Sequence, residues 1–490
     1  MGDDLKQKML GAVTWSTIDR FGQQAVQLVI GMILARLLSP DDYGLLGMVM
    51  IFAALSFVLV ESGFGQALIR KVDATETDYN TIFYFNIVVS VFLYILLYFL
   101  APFIALFFNQ PQLVSISRVI FIAILFNAFY LVPFSKLGKI MDFKSLAKIN
   151  LSSTIGSGLI GVVMAFLGFG VWALVAQQVM YHFFRMIFFY LYVKWRPSAL
   201  FSFTVIRSFW KFSIHLLGTS VLNVIFNYIF VIILGKFYRR SEVGYYTQGN
   251  KLNETFNFTF VSILVGSTYS LFAQIQNDDE RFRRIFREIA QKTSIVTFPV
   301  MLGLIAAATP LIDVVWSAKF LPSVPYFQLL CLASLFAPLY TLNISALNSR
   351  GESKITFRIE IFKKMLILIS LALTFSYGIM SMLWGYALAS ILAYLISILY
   401  IKNSIQHFIK HQLLDFSQSL IIGFVIALVI YFIGFIKIPN IFLLSLQLIS
   451  AATIYLFVIR MFYVELYRNG LVFLNSKLAG IVKIVFRKES

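Results

Sequence analysis

The feature that most constrains this chain is a succession of apolar runs, each bounded by charged or polar residues. About 20 apolar residues in a helix cross the ~30 Å hydrocarbon core of a bilayer. Because unpaired backbone groups are costly in hydrocarbon, such runs cross the membrane as helices. Composition agrees, since 60% of the residues are hydrophobic and only 13% are charged. The sequence therefore predicts an all-α polytopic membrane protein.

The lengths of these runs predict about 14 transmembrane helices. Their limits are residues 10–37, 43–69, 79–108, 113–135, 147–167, 170–193, 213–235, 243–275, 293–316, 325–347, 357–378, 381–401, 417–437 and 440–464. Lys and Arg concentrate in the even-numbered loops and the terminal segments, and positive loops stay in the cytoplasm. Both termini are therefore expected to be cytoplasmic. This topology and attraction to anionic membrane lipids account for the net charge of +18, so no nucleic acid is expected as a partner.

An internal repeat is indicated by two segments at the ends of the first and seventh spans. Residues 32–46 and 232–246 align at a constant offset of 200, and the alignment pairs polar and glycine positions as well as apolar ones. The first and seventh spans cross the membrane in the same direction. A parallel repeat relates two halves by an axis along the membrane normal, with a site where they meet. The matching positions include Arg36 with Lys236, Asp42 with Glu242, Gly44 with Gly244, Gln23 with Asn223 and Gln27 with Asn227.

The repeat predicts two six-helix lobes related by a pseudo-two-fold axis, residues 1–200 and 201–410. Two further C-terminal helices, in residues 411–465, are nearly free of charge and are expected to face lipid. Residues 466–490 are predicted to be a basic amphipathic cytoplasmic tail. Residues 277–292 have apolar positions at helical spacing opposite arginines, which predicts a helix on the inner leaflet.

Polar side chains concentrate on the first, second, seventh and eighth spans. Residues three and four apart share a helix face, so many of these side chains form continuous stripes. The residues are Asp19, Arg20, Gln23, Gln24 and Gln27 on the first span, Glu61 on the second, Asn223 and Asn227 on the seventh, and Asn250, Lys251, Asn253, Glu254 and Asn257 on the eighth.

A charge at the bilayer centre costs at least ~2.5–3.5 kcal/mol, so these side chains are expected to face a protein interior. For any single residue a structural ion pair is an alternative, for example Arg20 with Glu61 or Lys251 with Glu254. For the whole set, at matching places in two halves, a shared hydrated cavity is the better interpretation. Isolated polar residues, including Arg118, His182, Arg185 and His215, are interpreted as contacts between helices or residues at the membrane interface.

Enzymatic chemistry is not indicated. The loops are short, and the sequence has neither paired carboxylates at catalytic spacing nor a metal-ligand cluster nor a phosphate-binding loop. No cofactor and no metal are therefore expected.

Two motifs give the chain a resemblance to a known family. The segments LARLLSPDDYG (34–44) and GFGQALIRK (63–71), with the predicted six-plus-six helices, look like those of Wzx-type polysaccharide and O-antigen flippases. These flippases belong to the multidrug/oligosaccharidyl-lipid/polysaccharide exporter superfamily, and the resemblance is nearest to its colanic-acid-exporter-like branch. The resemblance implies transport of undecaprenyl-pyrophosphate-linked oligosaccharide across the bacterial inner membrane by alternating access, for lipopolysaccharide, capsule or exopolysaccharide biosynthesis. It also implies polymerase and chain-length proteins as partners.

The resemblance also suggests roles for the polar residues. Related lipid II flippases have cavity arginines on the first, second and eighth helices, to which Arg20 and Lys251 correspond on the first and eighth. Glu61 on the second departs from that pattern. Pyrophosphate binding is therefore assigned to Arg20 and Lys251. Asp19, Glu61 and Glu254 are the acids placed to bind a coupling proton or sodium ion. Sugar binding is assigned to the amides, which are Gln23, Gln24, Gln27, Asn223, Asn227, Asn250, Asn253 and Asn257.

Two other functions are compatible with a polytopic helical protein. A cation-coupled multidrug antiporter of the same superfamily would ordinarily have twelve spans and an acid-lined, aromatic pocket. A membrane-embedded glycan polymerase would need a large periplasmic loop, and the odd-numbered loops here are short.

Overall fold

A computed structural model of the chain describes residues 3–61, 63–71, 73–405 and 409–462. Within these ranges it consists of α-helices and two short 3-10 helices, Ala318–Ser323 and Phe375–Tyr377, with no strand. The predicted all-α class is confirmed, and the predicted tail, 466–490, lies outside the described residues. The helices are α1 Asp3–Leu37, α2 Pro40–Glu61, α3 Phe64–Arg70, α4 Glu76–Phe108, α5 Leu113–Ile120, α6 Ile122–Lys139, α7 Phe143–Phe166, α8 Val171–Tyr192, α9 Phe203–Phe237, α10 Arg240–Gln274, α11 Asp279–Ala306, α12 Ala308–Trp316, α13 Val324–Ser334, α14 Ala337–Ser349, α15 Ser353–Thr374, α16 Ile379–Ile405, α17 Ile409–Ile433 and α18 Asn440–Phe462.

Ten stretches of the described chain are helical, long and apolar enough to cross a membrane. The other four predicted spans coincide with α1, α8, α10 and α15, which are long helices that each contain at least one charged residue. The total of fourteen therefore stays a prediction. Several predicted spans consist of two consecutive helices, such as α2 and α3. Gly63 lies between these two with a φ of 71°, a left-handed conformation that glycine adopts without strain.

Reciprocal side-chain caps fix where α2 and α4 begin. At α2, the Ser39 backbone N–H donates to Asp42 Oδ2 at 2.9 Å, and the Asp42 N–H donates to Ser39 Oγ at 3.3 Å. Thr75 and Asp78 form the same reciprocal capping box at α4. These caps satisfy backbone donors that the first turn of a helix leaves unpaired.

The described chain separates into two compact units, residues 1–248 and 249–490. In the first unit, α7 packs against α1 and α8, and α2 packs against α9. In the second unit, α16 packs against α13 and α15, and Cys331 of α13 is fully buried. The predicted lobe boundaries at residues 200 and 410 stay predictions.

The last two helices belong to the second unit, and α17 packs against it with one side only. Helix α17 packs against α11, and a Cβ at Gly423 would lie 3.0 Å from the Phe298 backbone. Other side chains of α17, including Ile421 and Phe424, are exposed. This arrangement agrees with the predicted lipid contact for part of the helix surface only.

Two glycines of the first unit allow a close crossing between α2 and the first turns of α10. A Cβ at Gly44 would lie 1.9 Å from the Arg240 carbonyl oxygen, and a Cβ at Gly244 would lie 2.0 Å from the Pro40 carbonyl oxygen. The offset of 200 relates Gly44 to Gly244 and Pro40 to Arg240, so the predicted repeat converts one contact into the other. An ion pair between Arg240 Nε and Asp41 Oδ2, at 2.8 Å, accompanies the crossing.

Protein covers part of the apolar face predicted for residues 277–292. Residues from Asp279 onward are the first turns of α11, continuous with the apolar part of that helix. Phe282 and Phe286 are buried, and the rings of Phe282 and Phe272 lie 4.8 Å apart. Arg350 covers Phe282 and also forms an ion pair with Asp279. Neighbouring aromatic side chains therefore bury Phe282 and Phe286 of the predicted apolar face, whereas Ile285 and Ile289 are half-buried.

Candidate functional site

Asp19 of α1 is held by two neutral amides. Gln23 Nε2 donates to Asp19 Oδ1 at 2.8 Å, and Asn150 Nδ2, from α7, donates to Asp19 Oδ2 at 3.0 Å. Asp19 and Gln23 are both half-buried. The structure thus joins two of the predicted residues and adds Asn150, which lies 131 positions away and which the sequence did not single out.

The rest of the polar stripe on α1 is more accessible. Arg20 and Gln27 are exposed and Gln24 is half-buried. On α9, Asn223 and Asn227 are likewise exposed. Accessible polar side chains in the middle of long, largely apolar helices favour contact with water or a polar ligand rather than with hydrocarbon.

A second polar group in the first unit connects α6 and α8. Arg185 Nη1 donates to Tyr130 Oη at 3.1 Å, and the same hydroxyl lies 2.9 Å from His182 Nδ1. The His182 ring stacks on Phe57 of α2, with centroids 4.6 Å apart. From the sequence alone, His182 and Arg185 are interpreted as isolated polar residues. Their i, i+3 spacing on α8 is the signal that they act together.

Glu61 lies at the break between α2 and α3. The Glu61 side chain is half-buried, and a Cβ at Gly65 would lie 3.7 Å from Glu61 Oε1. Among the described residues, its carboxylate forms no hydrogen bond and no ion pair. A carboxylate in this position is available to a proton or a cation.

In the second unit, polar side chains of α10 lie near α12 and α16. Asn250 Nδ2 donates to Glu254 Oε1 at 2.8 Å, and Tyr386 of α16 lies within electrostatic range of that carboxylate. The Lys251 ammonium lies 5.8 Å from the centroid of the Trp316 ring of α12. Lys251 and Glu254 are exposed, and Asn250 is half-buried.

Two other amides of α10 are less accessible. Asn253 is buried, and its Nδ2 donates to Ser334 Oγ of α13 at 3.1 Å. Asn257 Oδ1 is buried with no partner among the described residues. Asn253 therefore contributes to packing as well as to polarity.

Neither of the alternative ion pairs is present in the described chain. Glu61 is not paired with Arg20, and Lys251 is not paired with Glu254. Neither of these two pairs therefore accounts for the charges of Glu61, Lys251 and Glu254. Their convergence on one shared interior stays a prediction.

The chemistry of these groups suits binding rather than catalysis. Guanidinium and ammonium groups bind oxyanions, and amides both donate to and accept from sugar hydroxyls. In the part of the chain that the structure describes, no group of three or more His, Cys, Asp or Glu side chains is placed to hold a metal ion.

The fold is similar to that of solved membrane transporters. The structure of the lipid II flippase MurJ in an inward closed conformation matches with a TM-score of 0.73 at 17% sequence identity, covering 93% of this chain and 99% of that one. At this identity the match establishes the fold. The chain thus has the fold of a polytopic helical transporter.

The family follows from sequence. The family model for polysaccharide biosynthesis proteins matches residues 33–325, and the chain belongs to that family. The teichuronic acid biosynthesis protein TuaB of Bacillus subtilis (strain 168) is 25% identical over 438 residues, which are 88% of this chain and 89% of that protein. The lipopolysaccharide biosynthesis protein WzxC of Escherichia coli (strain K12) is 22% identical over 376 residues, 74% of each chain. The resemblance to Wzx-type flippases is confirmed.

Proposed function

We propose that this protein moves undecaprenyl-pyrophosphate-linked oligosaccharide units from the inner to the outer leaflet of the bacterial cytoplasmic membrane by alternating access. The observation that carries the proposal is the set of accessible polar side chains on α1, α9 and α10, in a chain of the polysaccharide biosynthesis family. Both termini are proposed to be cytoplasmic. Anionic lipids and the polysaccharide polymerase and chain-length proteins are proposed as partners.

Arg20 and Lys251 are proposed to bind the pyrophosphate. A guanidinium binds phosphate oxygens in a bidentate manner, whereas an ammonium acts as a compact charge. The amides Gln24, Gln27, Asn223, Asn227, Asn250 and Asn257 are proposed to contact sugar hydroxyls. Gln23 and Asn253 are proposed for the same role, through the amide hydrogen and oxygen atoms that do not bond to Asp19 or Ser334.

Asp19, Glu61 and Glu254 are proposed to bind a coupling cation. Each is a carboxylate whose bonds, where it has any, come from neutral amides. An inside-negative membrane potential adds ~2.3 kcal/mol per charge per 100 mV to the outward movement of an anion. The potential and a coupled cation are therefore both available as driving forces.

Depletion of the protein is the experiment that tests the function. Cells that lack it should lose surface polysaccharide and accumulate the lipid-linked precursor, which mass spectrometry of the extracted lipids would identify. Normal surface polysaccharide with no accumulated precursor would contradict the proposal. A multidrug antiporter would instead give drug sensitivity with unchanged precursor, and a polymerase would give single repeat units on the outer face.

Lys251→Ala is expected to lower the export rate by about ten- to a hundredfold, because one charge-assisted contact of ~1.5–3 kcal/mol is lost. Each variant is expressed in the strain that lacks the protein, and the amount of lipid-linked precursor that remains in the cells reports the export rate. The matched control is Lys437→Ala, an exposed lysine between α17 and α18. Equal export by both variants would remove Lys251 from the site.

Glu61→Gln and Glu254→Gln are each expected to flatten the dependence of transport on pH, because an amide cannot bind a proton as a carboxylate does. Transport into inverted membrane vesicles is measured between pH 5.5 and pH 8.5, a range of about three pH units around neutrality. Glu280→Gln, at the exposed start of α11, serves as the control. An unchanged profile would dismiss the corresponding glutamate as a cation site.

A further inference from the structure

Aromatic side chains of the first unit surround the guanidinium group of Arg185, which lies on α8. Its guanidinium carbon lies 4.5 Å from the centroid of the Tyr130 ring, 5.5 Å from that of Tyr181 and 5.6 Å from that of Phe189. These rings hold the guanidinium through cation–π contacts. Rings supply no strong hydrogen-bond acceptor, so they orient the guanidinium without satisfying its donors.

Most of the hydrogen-bond donors of Arg185 have no acceptor among the described residues. A guanidinium has five N–H donors, and among the described residues only Nη1 finds a partner, the hydroxyl of Tyr130. Arg185 Nε is buried with no partner. Burying a donor without a partner costs about 1–3 kcal/mol. The side chain is nevertheless half-buried rather than fully enclosed, so a ligand can reach it.

The charge of Arg185 is not neutralised by a contact ion pair within the described residues. Asp19 is near enough to interact electrostatically, but its two oxygens accept from Gln23 and Asn150. A neutral tyrosine hydroxyl is therefore the only group bonded to this guanidinium. A positive charge held in a membrane-spanning bundle without a contact anion has a strong affinity for an incoming one.

The depth of Arg185 suits a ligand that enters from the cytoplasm. At 1.5 Å per residue, Arg185 lies about 10 Å from the C-terminal end of α8. In the predicted topology that end faces the cytoplasm. The headgroup of a lipid in the inner leaflet has a short path to this position.

We propose that Arg185 forms an oxyanion site in the first unit that receives a phosphoryl group of the lipid pyrophosphate. This inference rests on the proposed function and adds a binding residue on α8 to those of α1 and α10. The unpaired N–H groups of the guanidinium bind phosphate oxygens, and the aromatic rings keep its plane fixed. Asp19 competes with the ligand for the same positive charge, so neutralising Asp19 strengthens anion binding.

The test measures binding of undecaprenyl pyrophosphate to the purified full-length protein in nanodiscs. Arg185→Gln is expected to weaken binding at least about tenfold, whereas Arg185→Lys restores part of it, because the charge remains but the planar fork is lost. Asp19→Asn is expected to strengthen binding several-fold. The control is Arg118→Gln on α5, an arginine that likewise contacts a tyrosine ring, that of Tyr98.

Two results would overturn the inference. The first is that Arg185→Gln binds undecaprenyl pyrophosphate as tightly as the wild type. The second is that Arg185 binds glucuronate more tightly than it binds isoprenyl phosphates, because this result would assign the site to a sugar carboxylate. Should Arg185→Gln fail to fold, Asp19→Asn is compared in the Arg20→Ala background, where a purely structural Arg185 predicts no gain in affinity. Because this binding is measured on purified protein, its outcome is distinct from that of the depletion experiment.

Discussion

Arg20→Ala is expected to abolish export of the lipid-linked glycan without lowering the amount of protein in the membrane. The Arg20 side chain is exposed on α1, so its removal leaves no cavity in the protein core. A pyrophosphate that leaves the headgroup region must exchange its hydration for protein donors, and the loss of a bidentate cation removes the strongest of them. Arg20→Lys should retain part of the activity, because the charge is kept.

Surface polysaccharide and accumulated precursor are the two quantities to measure for Arg20→Ala, with immunoblotting of the membrane fraction for protein level. Arg118→Ala is the matched control, since it also removes an arginine from a helix of the first unit. Surface polysaccharide at the wild-type level would exclude Arg20 from the binding site.

Gly44→Ala is expected to destabilise the protein by ~1–3 kcal/mol or more, which is the range for overpacking a close contact. The added methyl carbon would lie 1.9 Å from the carbonyl oxygen of Arg240, and backbone cannot move aside as a side chain can. Gly244→Ala should have a similar effect, because its methyl carbon would lie 2.0 Å from the carbonyl oxygen of Pro40.

Thermal unfolding of the detergent-solubilised protein measures this effect. The control is Gly218→Ala in α9, where no atom lies within 4 Å of the added carbon. Alanine is favoured over glycine inside a helix by up to ~1 kcal/mol, so the control should unfold at the same or a higher temperature. A Gly44→Ala protein as stable as the control would show that the crossing is not close-packed in the membrane.

Much of the fold is predictable from local patterns. Apolar length gives the helices, and the pairing of Gly44 with Gly244 at one offset anticipates the reciprocal crossing. The breaks within spans are harder to predict, because a helix interrupted at Gly63 keeps the apolar composition of a continuous one. The covered face of α11 shows the same limit, since periodicity reveals an apolar face but not whether lipid or Phe272 packs against it.

The candidate site is predictable to a smaller extent. Helical spacing identifies the stripe on α1 and the polar face of α10, because those relations are local. It does not identify the bond from Asn150 to Asp19, which joins residues on different helices. Nor does it show that Arg185 and His182 share the hydroxyl of Tyr130. Partners on separate helices depend on packing, which no single segment encodes.

Cys331 offers a practical advantage. It is the only cysteine in the chain, and it is fully buried in α13. Thiol reagents attack an accessible thiolate, so a thiol enclosed in apolar packing reacts slowly. The native protein is therefore expected to react little with thiol reagents, so new cysteines can be labelled without first replacing Cys331. Single cysteines placed in successive loops would report, through impermeant maleimides, which side of the bilayer each loop faces.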